Sequence, residues 1–127
     1  MPKKMPLVSV IILNYNGMEF VESCLESVLS TDYPDFEVLF IDNASIDGSL
    51  EYVEDKFGRN TRIKIVANEK NYGFAEGNNI GFKHTEGEYV VFLNIDTDVE
   101  PDWLSELVKV FEADPTIGAV QSKLLLS

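Results

Sequence analysis

The sequence has one cysteine, one histidine and few basic residues, and each scarcity excludes something. Cys24 has no partner, so there is no internal disulfide and no cysteine-built metal site, and a reducing, cytoplasmic compartment is the simplest setting. His84 likewise lacks a His or Cys partner and reads as a surface residue near the end of a helix. Ten Lys+Arg stand against 22 Asp+Glu, a formal charge of −12. Such a surface repels nucleic-acid phosphates, and apart from Lys3-Lys4 no basic cluster offers a binding stripe, which excludes a nucleic-acid partner. Long hydrophobic runs are missing too. The apolar stretch from Leu7 to Leu13 is short, is interrupted by Ser9 and lacks a cleavage-site pattern, so it is neither a signal peptide nor a membrane span. There is no repeat, linker or low-complexity stretch. What remains is an ordinary globular composition, 45 % hydrophobic and 25 % charged, with eight Phe, five Tyr and one Trp to fill a core. At 127 residues it suits one domain rather than two.

The elements alternate. Leu7 to Leu13 is a β-branched, nearly continuous apolar run, as a strand covered on both faces requires. Asn16 fits the N-cap of a helix with Glu19 at its third position, and Phe20, Val21, Cys24, Leu25, Val28 and Leu29 follow at helical spacing. Tyr33-Pro34-Asp35 breaks that helix, and Phe36 to Ile41 is a second strand. Asp47-Gly48 opens a helix carrying Leu50, Val53 and Phe57, which Gly58 ends. Ile63 to Ala67 is a third strand, Gly73 to about Thr85 a weak helix, and Tyr89 to Leu93 a fourth strand. Pro101 suits the first position of a last helix with Leu104, Leu107, Val108 and Phe111 on its apolar face. This order predicts an α/β fold: an open, mostly parallel sheet with helices on both faces, the first strand central, the second and third to one side and the fourth to the other. Residues 1–6 are expected to form a flexible tail and residues 7–127 the domain. The apolar run from Ser122 to Ser127 has nothing after it to cover it, which suggests a domain cut from a longer polypeptide.

In open α/β sheets ligands bind beyond the carboxyl ends of the strands. Here the four strands run into Asn14-Tyr15-Asn16-Gly17, Asp42-Asn43-Ala44-Ser45, Asn68-Glu69-Lys70-Asn71 and Asn94-Ile95-Asp96-Thr97-Asp98. One polar tip is common in turns, but four converging on one rim point to a site. Asp42 either accepts hydrogen bonds from a ribose or a base N–H, or starts a turn with Ser45. Tyr15 either stacks on a base, worth about 1–3 kcal/mol, or packs on the sheet edge.

Two segments carry more. Gly73, Gly77 and Gly81 recur every four residues and would form a bare stripe on a helix, each at a cost of about 1 kcal/mol against Ala. Close approach of that helix to the sheet or to a ligand accounts for them. The spacing is neither a dinucleotide fingerprint nor a Walker loop, and Asn78 and Asn79 add amide groups to it. Asn94, Asp96 and Asp98 share one side if the chain stays extended, and two carboxylates there are hard oxygen ligands for Mg2+ or Mn2+. The competing reading is a solvated turn before the Pro101 helix, with Asp98 and Glu100 as capping residues.

Together these segments resemble family 2 of the inverting glycosyltransferases, which have the GT-A (Rossmann-like) fold. Val8 to Gly17 looks like the family's first strand and base-binding turn, and Asp42 to Ser49 is similar to its second. Asn71-Tyr-Gly-Phe-Ala-Glu-Gly-Asn-Asn-Ile-Gly81 is typical of members that build rhamnose-containing and other surface polysaccharides. Leu93 to Leu104 resembles the segment with the metal aspartate. The resemblance implies that Leu13, Asn14, Tyr15 and Asn16, with Asp42, hold the base and ribose of a UDP-, dTDP- or GDP-sugar, Tyr15 stacking on the base, and that Asn43 also belongs to the nucleotide-sugar site. Asn71, Gly73, Asn78 and Asn79 would line the pocket, with Asn94 beside them, and Asp96 would bind the cation on the diphosphate. Asn94 stands where the family has the first acid of its D-x-D, so either Asn94-Ile95-Asp96 or Asp96-Thr97-Asp98 is the relevant register; Asp96 is favoured and Asp98 is second.

The implied reaction inverts the anomeric carbon, with a carboxylate base activating a hydroxyl of a glycan or lipid-linked acceptor. In the family that base lies well after the D-x-D, which places it beyond Ser127, and the fragment alone is expected to be inactive. A dimer, or an association of the longer protein with the inner face of the membrane, is compatible with this. A nucleotide-binding module without activity of its own remains an alternative. A haloacid-dehalogenase-type phosphatase is a weaker one, because Glu100 stands where its motif wants Thr or Val. A sugar nucleotidyltransferase would need a Gly- and Arg/Lys-rich loop in place of Asn14 to Gly17.

Overall fold

The computed structural model describes residues 5–113 and the backbone of 119–121. The first strand, β1 (Val8–Asn14), leads into α1 (Met18–Leu29), β2 (Phe36–Asp42), α2 (Ser49–Phe57), β3 (Ile63–Ala67), α3 (Gly73–Phe82), β4 (Tyr89–Asn94), α4 (Trp103–Ala113) and β5 (Ala119–Gln121). All pairings are parallel, in the order β3-β2-β1-β4-β5, so the expected arrangement of the first four strands is the observed one. A short fifth strand, β5, adds to the edge beside β4, beyond the four strands the sequence pattern predicts. The expected tail up to Lys4 and the apolar run Ser122 to Ser127 lie outside the described residues; Pro6 is buried, and its carbonyl accepts a hydrogen bond from the Tyr33 hydroxyl.

Alternation along the strands divides the core in two. Val8, Val10 and Ile12 of β1, with Val38 and Phe40 of β2 and Val91 and Leu93 of β4, face α1, α2 and α4. Ile11 and Leu13, with Leu39, Ile41, Val90 and Phe92, face the opposite side, where α3 lies. The outward steps from β1 to β3 place α1 and α2 on one face, and the return from β3 to β4 carries α3 across the other. The glycine stripe has two causes. A Cβ on Gly77 would lie 2.8 Å from Leu13 Cδ1, and one on Gly81 2.9 Å from Ile41 Cγ1, so these two let the helix backbone rest on the sheet. Gly73 has open space around it but a φ of +83°, a conformation that a Cβ disfavours.

Helix starts depart from the local reading. Gly17, not Asn16, is the N-cap of α1. Asn16 is left-handed, with φ at 54°, and its side chain accepts the Ile46 N–H at 2.8 Å instead. The first N–H of α1 goes to Asp47 Oδ2 at 3.0 Å, a partner 29 residues away that no local capping pattern reveals. At the other end α4 starts at Trp103, with Pro101 in the turn before it. The third helix stops at Phe82, short of Thr85.

The amino ends of the strands are closed by a buried carboxylate. Glu37 Oε2 accepts from the Ser9 hydroxyl at 2.6 Å and from the Glu86 N–H at 2.7 Å, and Lys64 Nζ lies 3.0 Å from Oε1. Burial opposes its ionisation, but these donors outweigh burial and hold its pKa below the ordinary 4.5. A carboxylate depressed in this way adds stability above its unfolded pKa and loses it as the pH falls through the folded value. Ser9→Ala is therefore expected to cost about 1–2 kcal/mol at neutral pH. It should also move the acid-unfolding midpoint upward, followed by circular dichroism; an unchanged midpoint would show that the hydroxyl does not hold the ionised form.

Candidate functional site

The parallel register sets Asn14 beside Asp42, Asp42 beside Ala67, and Leu13 beside Asn94, so the polar tips share one rim. Two of them turn inward. Asn14 and Asp42 are both 0 % exposed. Asn14 Nδ2 lies 2.8 Å from Asp42 Oδ1, 2.9 Å from Ser49 Oγ and 3.2 Å from Ser45 Oγ, while its Oδ1 accepts the Gly17 N–H at 3.0 Å. Asp42 also accepts from Ser45, the N–H at 2.9 Å and the hydroxyl at 2.7 Å. Ser45 Oγ in turn accepts the Asn16 N–H at 2.9 Å. The hub thus locks the β1–α1 turn to the β2–α2 turn, where Ala44 is left-handed at a φ of 59°. Of the two readings of Asp42, the turn with Ser45 is present in this structure.

Asn43 acts as a clamp. It is 2 % exposed, donates to the Gly73 carbonyl at 3.1 Å and accepts from Asn68 Nδ2 at 2.8 Å, tying the ends of β2 and β3 to the start of α3. Asn71 Oδ1 takes the Gly73 N–H at 2.8 Å. Tyr15 stays on the rim, 49 % exposed.

Between β1 and β4, where the direction of strand succession reverses, a cleft of about 280 Å³ opens. Its lining is Leu13, Phe20, Phe74, Asn78, Phe92, Leu93, Asn94, Ile95 and Asp96. This is the switch-point position at which open α/β sheets take ligands. It brings together four of the expected residues: Leu13, Asn78, Asn94 and Asp96. Asn79 is not among them; it lies in a shallow groove with Glu76 and Lys83 on the outer side of α3.

The chain does not stay extended past Asn94. The Thr97 N–H returns to the Asn94 carbonyl at 3.1 Å, and the turn separates the two acids. Asp96 lines the cleft, is exposed, and makes no hydrogen bond or ion pair among the described residues. Asp98 is directed to α1, where the Ser23 hydroxyl donates to its carboxylate at 2.8 Å. Among the described residues no cluster of three His, Cys, Asp or Glu is present, so a cation would need oxygens from its ligand. One free carboxylate at the mouth fits that arrangement, since Mg2+-type ions are commonly held by one or two carboxylates plus substrate phosphates. Burial, with Asp98 and Asp96 nearby, pushes the Cys24 thiol up to about 12, which makes it a packed side chain and no nucleophile.

Three rings of the cleft, Phe20, Phe74 and Phe92, stand outside the site residues read from the sequence. Phe20 was placed on the apolar face of α1 but is 39 % exposed, and Phe74 is 57 % exposed. A Phe two residues into a helix beside a polar tip, and another inside the glycine stripe, were the available signals.

The sheet order and its switch-point cleft define an open parallel α/β domain, and its fold is that of the GT-A glycosyltransferases. The chain belongs to glycosyl transferase family 2, whose family model matches residues 9–124. It is 36 % identical over 113 residues to the poly-β-1,6-N-acetyl-D-glucosamine synthase of Staphylococcus epidermidis, covering 89 % of this chain and 27 % of the synthase. A mannosyltransferase from Pyrobaculum calidifontis, solved with GDP-Man and Mn2+, superposes with a TM-score of 0.83 at 31 % identity over 90 % of this chain and 34 % of that one. S. aureus TarS 1–349, solved with UDP-GlcNAc, gives a TM-score of 0.75 at 28 % identity, covering 84 % and 31 %. The chain spans well under half the length of the curated relatives it matches. Those relatives include polysaccharide synthases, and the phosphatase reading is set aside. No helix among the described residues is long and apolar enough to cross a membrane.

Proposed function

We propose that this chain is the donor-binding part of an inverting glycosyltransferase that moves a hexosyl unit from a UDP-, dTDP- or GDP-sugar to a hydroxyl of a growing glycan or lipid-linked acceptor. The observation that carries the reading is the switch-point cleft with the exposed, unbonded Asp96 at its mouth. The base would lie over the rim of Tyr15, Asn16 and Asn43, positioned from behind by the Asn14–Asp42 hub. Asp96, with Asn94 beside it, would hold a Mn2+ or Mg2+ ion at the donor diphosphate. When bound, that ion supplies charge stabilisation to the departing nucleotide. The rhamnosyltransferase-like subgroup, supported by the Asn71 to Gly81 segment, and synthesis at the cytoplasmic side of a membrane belong to the same proposal.

Among the described residues Asp96 is the one carboxylate lining the cleft, and it is assigned to the cation. No second acid there is placed to take the proton of an acceptor. The chain alone is therefore expected to bind donor and to carry out no multiple-turnover transfer. Calorimetry with UDP-GlcNAc, GDP-mannose and a dTDP-sugar in the presence of Mn2+ checks the first half, and product formation with added acceptors the second. Saturable binding of at least one donor is the expected result; no binding of any would refute the reading, and sustained transfer would show that the base lies within the chain.

A further inference from the structure

Asn78 is a buried amide that the fold does not use. It is 9 % exposed, next to Gly77, whose lack of a side chain lets α3 settle on the sheet. Its carboxamide makes no hydrogen bond to any described residue. No polar side-chain atom among the described residues is sealed from solvent without a partner, so the amide opens on the cleft that it lines. A carboxamide in such a place has two donors and an acceptor to offer, and a native protein seldom leaves them unmatched without a reason.

The surroundings narrow what would match them. Leu13, Phe20, Phe74, Phe92, Leu93 and Ile95 give the cleft apolar walls, and among the described residues Asp96 shares the lining with no Lys or Arg. A phosphate oxygen placed against the amide would use its donors alone and leave its acceptor unmatched, and in the donor-binding reading the phosphates belong with the cation on Asp96. A hydroxyl gives and accepts, as the amide does, and the C–H faces of a neutral ring suit aromatic walls. We infer that Asn78 is a specificity-determining residue that hydrogen-bonds a hydroxyl of a neutral furanose or pyranose ring in the cleft. This rests on the donor-binding reading above. The ring is either the ribose of the nucleotide or the transferred sugar; the chemistry is the same.

Asn78→Leu keeps the size, removes the amide and leaves no protein partner stranded, so its unfolding midpoint should equal or exceed that of the parent. The test is calorimetry with Mn2+ on both proteins, using UDP, its 2′- and 3′-deoxy forms, UDP-GlcNAc and inorganic pyrophosphate, with the guanosine set and dTDP and a dTDP-sugar in parallel. If the ring is ribose, the parent prefers UDP or GDP over a deoxy form by about tenfold and Asn78→Leu erases that preference. If it is the sugar, the parent prefers UDP-GlcNAc or GDP-mannose over the bare diphosphate by about tenfold, and the variant erases that gain. Pyrophosphate affinity should not change in either case. A parent with neither preference, a variant that keeps both, or a variant that weakens every ligand equally overturns the inference while the donor-binding reading stands. No parental binding of any nucleotide overturns the two together.

Discussion

Asp96→Asn is expected to weaken nucleotide-diphosphate binding about a hundredfold with Mn2+ present, and a chelator should do the same to the unaltered protein. The argument is electrostatic. The chain carries −12, and a nucleotide diphosphate adds about two or three further negative charges. Among the described residues that line the cleft there is no Lys or Arg to meet them. A divalent ion on Asp96, the one free carboxylate at the mouth among the described residues, would reverse the sign of the field where the proposal puts the phosphates. Asparagine keeps the shape and loses the charge, and because Asp96 is exposed and unbonded, folding should not change. Asp98→Asn is expected to alter affinity by less than about threefold, since its carboxylate faces Ser23 on α1 and not the cleft. Equal affinity with and without metal would sink the cation reading. An Asp98 effect larger than that of Asp96 would reverse the register and leave the family assignment intact.

The sheet was legible because burial on both faces leaves a mark that needs no knowledge of neighbours. Val8 to Asn14 and Phe36 to Asp42 are apolar almost throughout, as strands inside a doubly covered sheet must be. Gly77 and Gly81 were legible for a related reason: repeated glycine in a helix is costly unless something lies against it, and Leu13 and Ile41 do. What stayed hidden depended on partners far away in sequence. Asp47 caps α1 from 29 residues away, which left Asn16 free for Ile46 and made the local capping pattern misleading. Asp42 at a strand tip looks the same in sequence whether it faces a ligand or a neighbouring strand. Only the register, which sets it beside Asn14, decides that it turns inward. Likewise the turn closed by Thr97 and Asn94 separates Asp96 from Asp98, although extended spacing would have kept them together.

Asn14→Leu should be among the most damaging single changes to the fold, costing about 3–5 kcal/mol from a total that for domains of this kind is about 5–15 kcal/mol. Asn14 and Asp42 are both wholly buried, and the amide is the group from β1 that reaches the Asp42 carboxylate. Leucine fills the space but leaves that carboxylate with Ser45 alone, and it orphans the Gly17 N–H at the start of α1. A buried charge stripped of a partner is far costlier than a pair that was never there. Hence Asn14→Leu combined with Asp42→Leu should be less destabilised than the sum of the two single variants, because the second change removes the charge that the first strands. Urea unfolding of the four proteins measures this coupling directly. Additive losses would mean that the two side chains do not act as a pair. The same cycle reaches the site, since the hub holds Ser45 against the Asn16 N–H and so sets the turn that presents Tyr15. In folded Asn14→Leu protein, donor affinity should fall by a similar factor for uridine and guanosine nucleotides. A loss confined to one base would instead show that the hub reads the base itself.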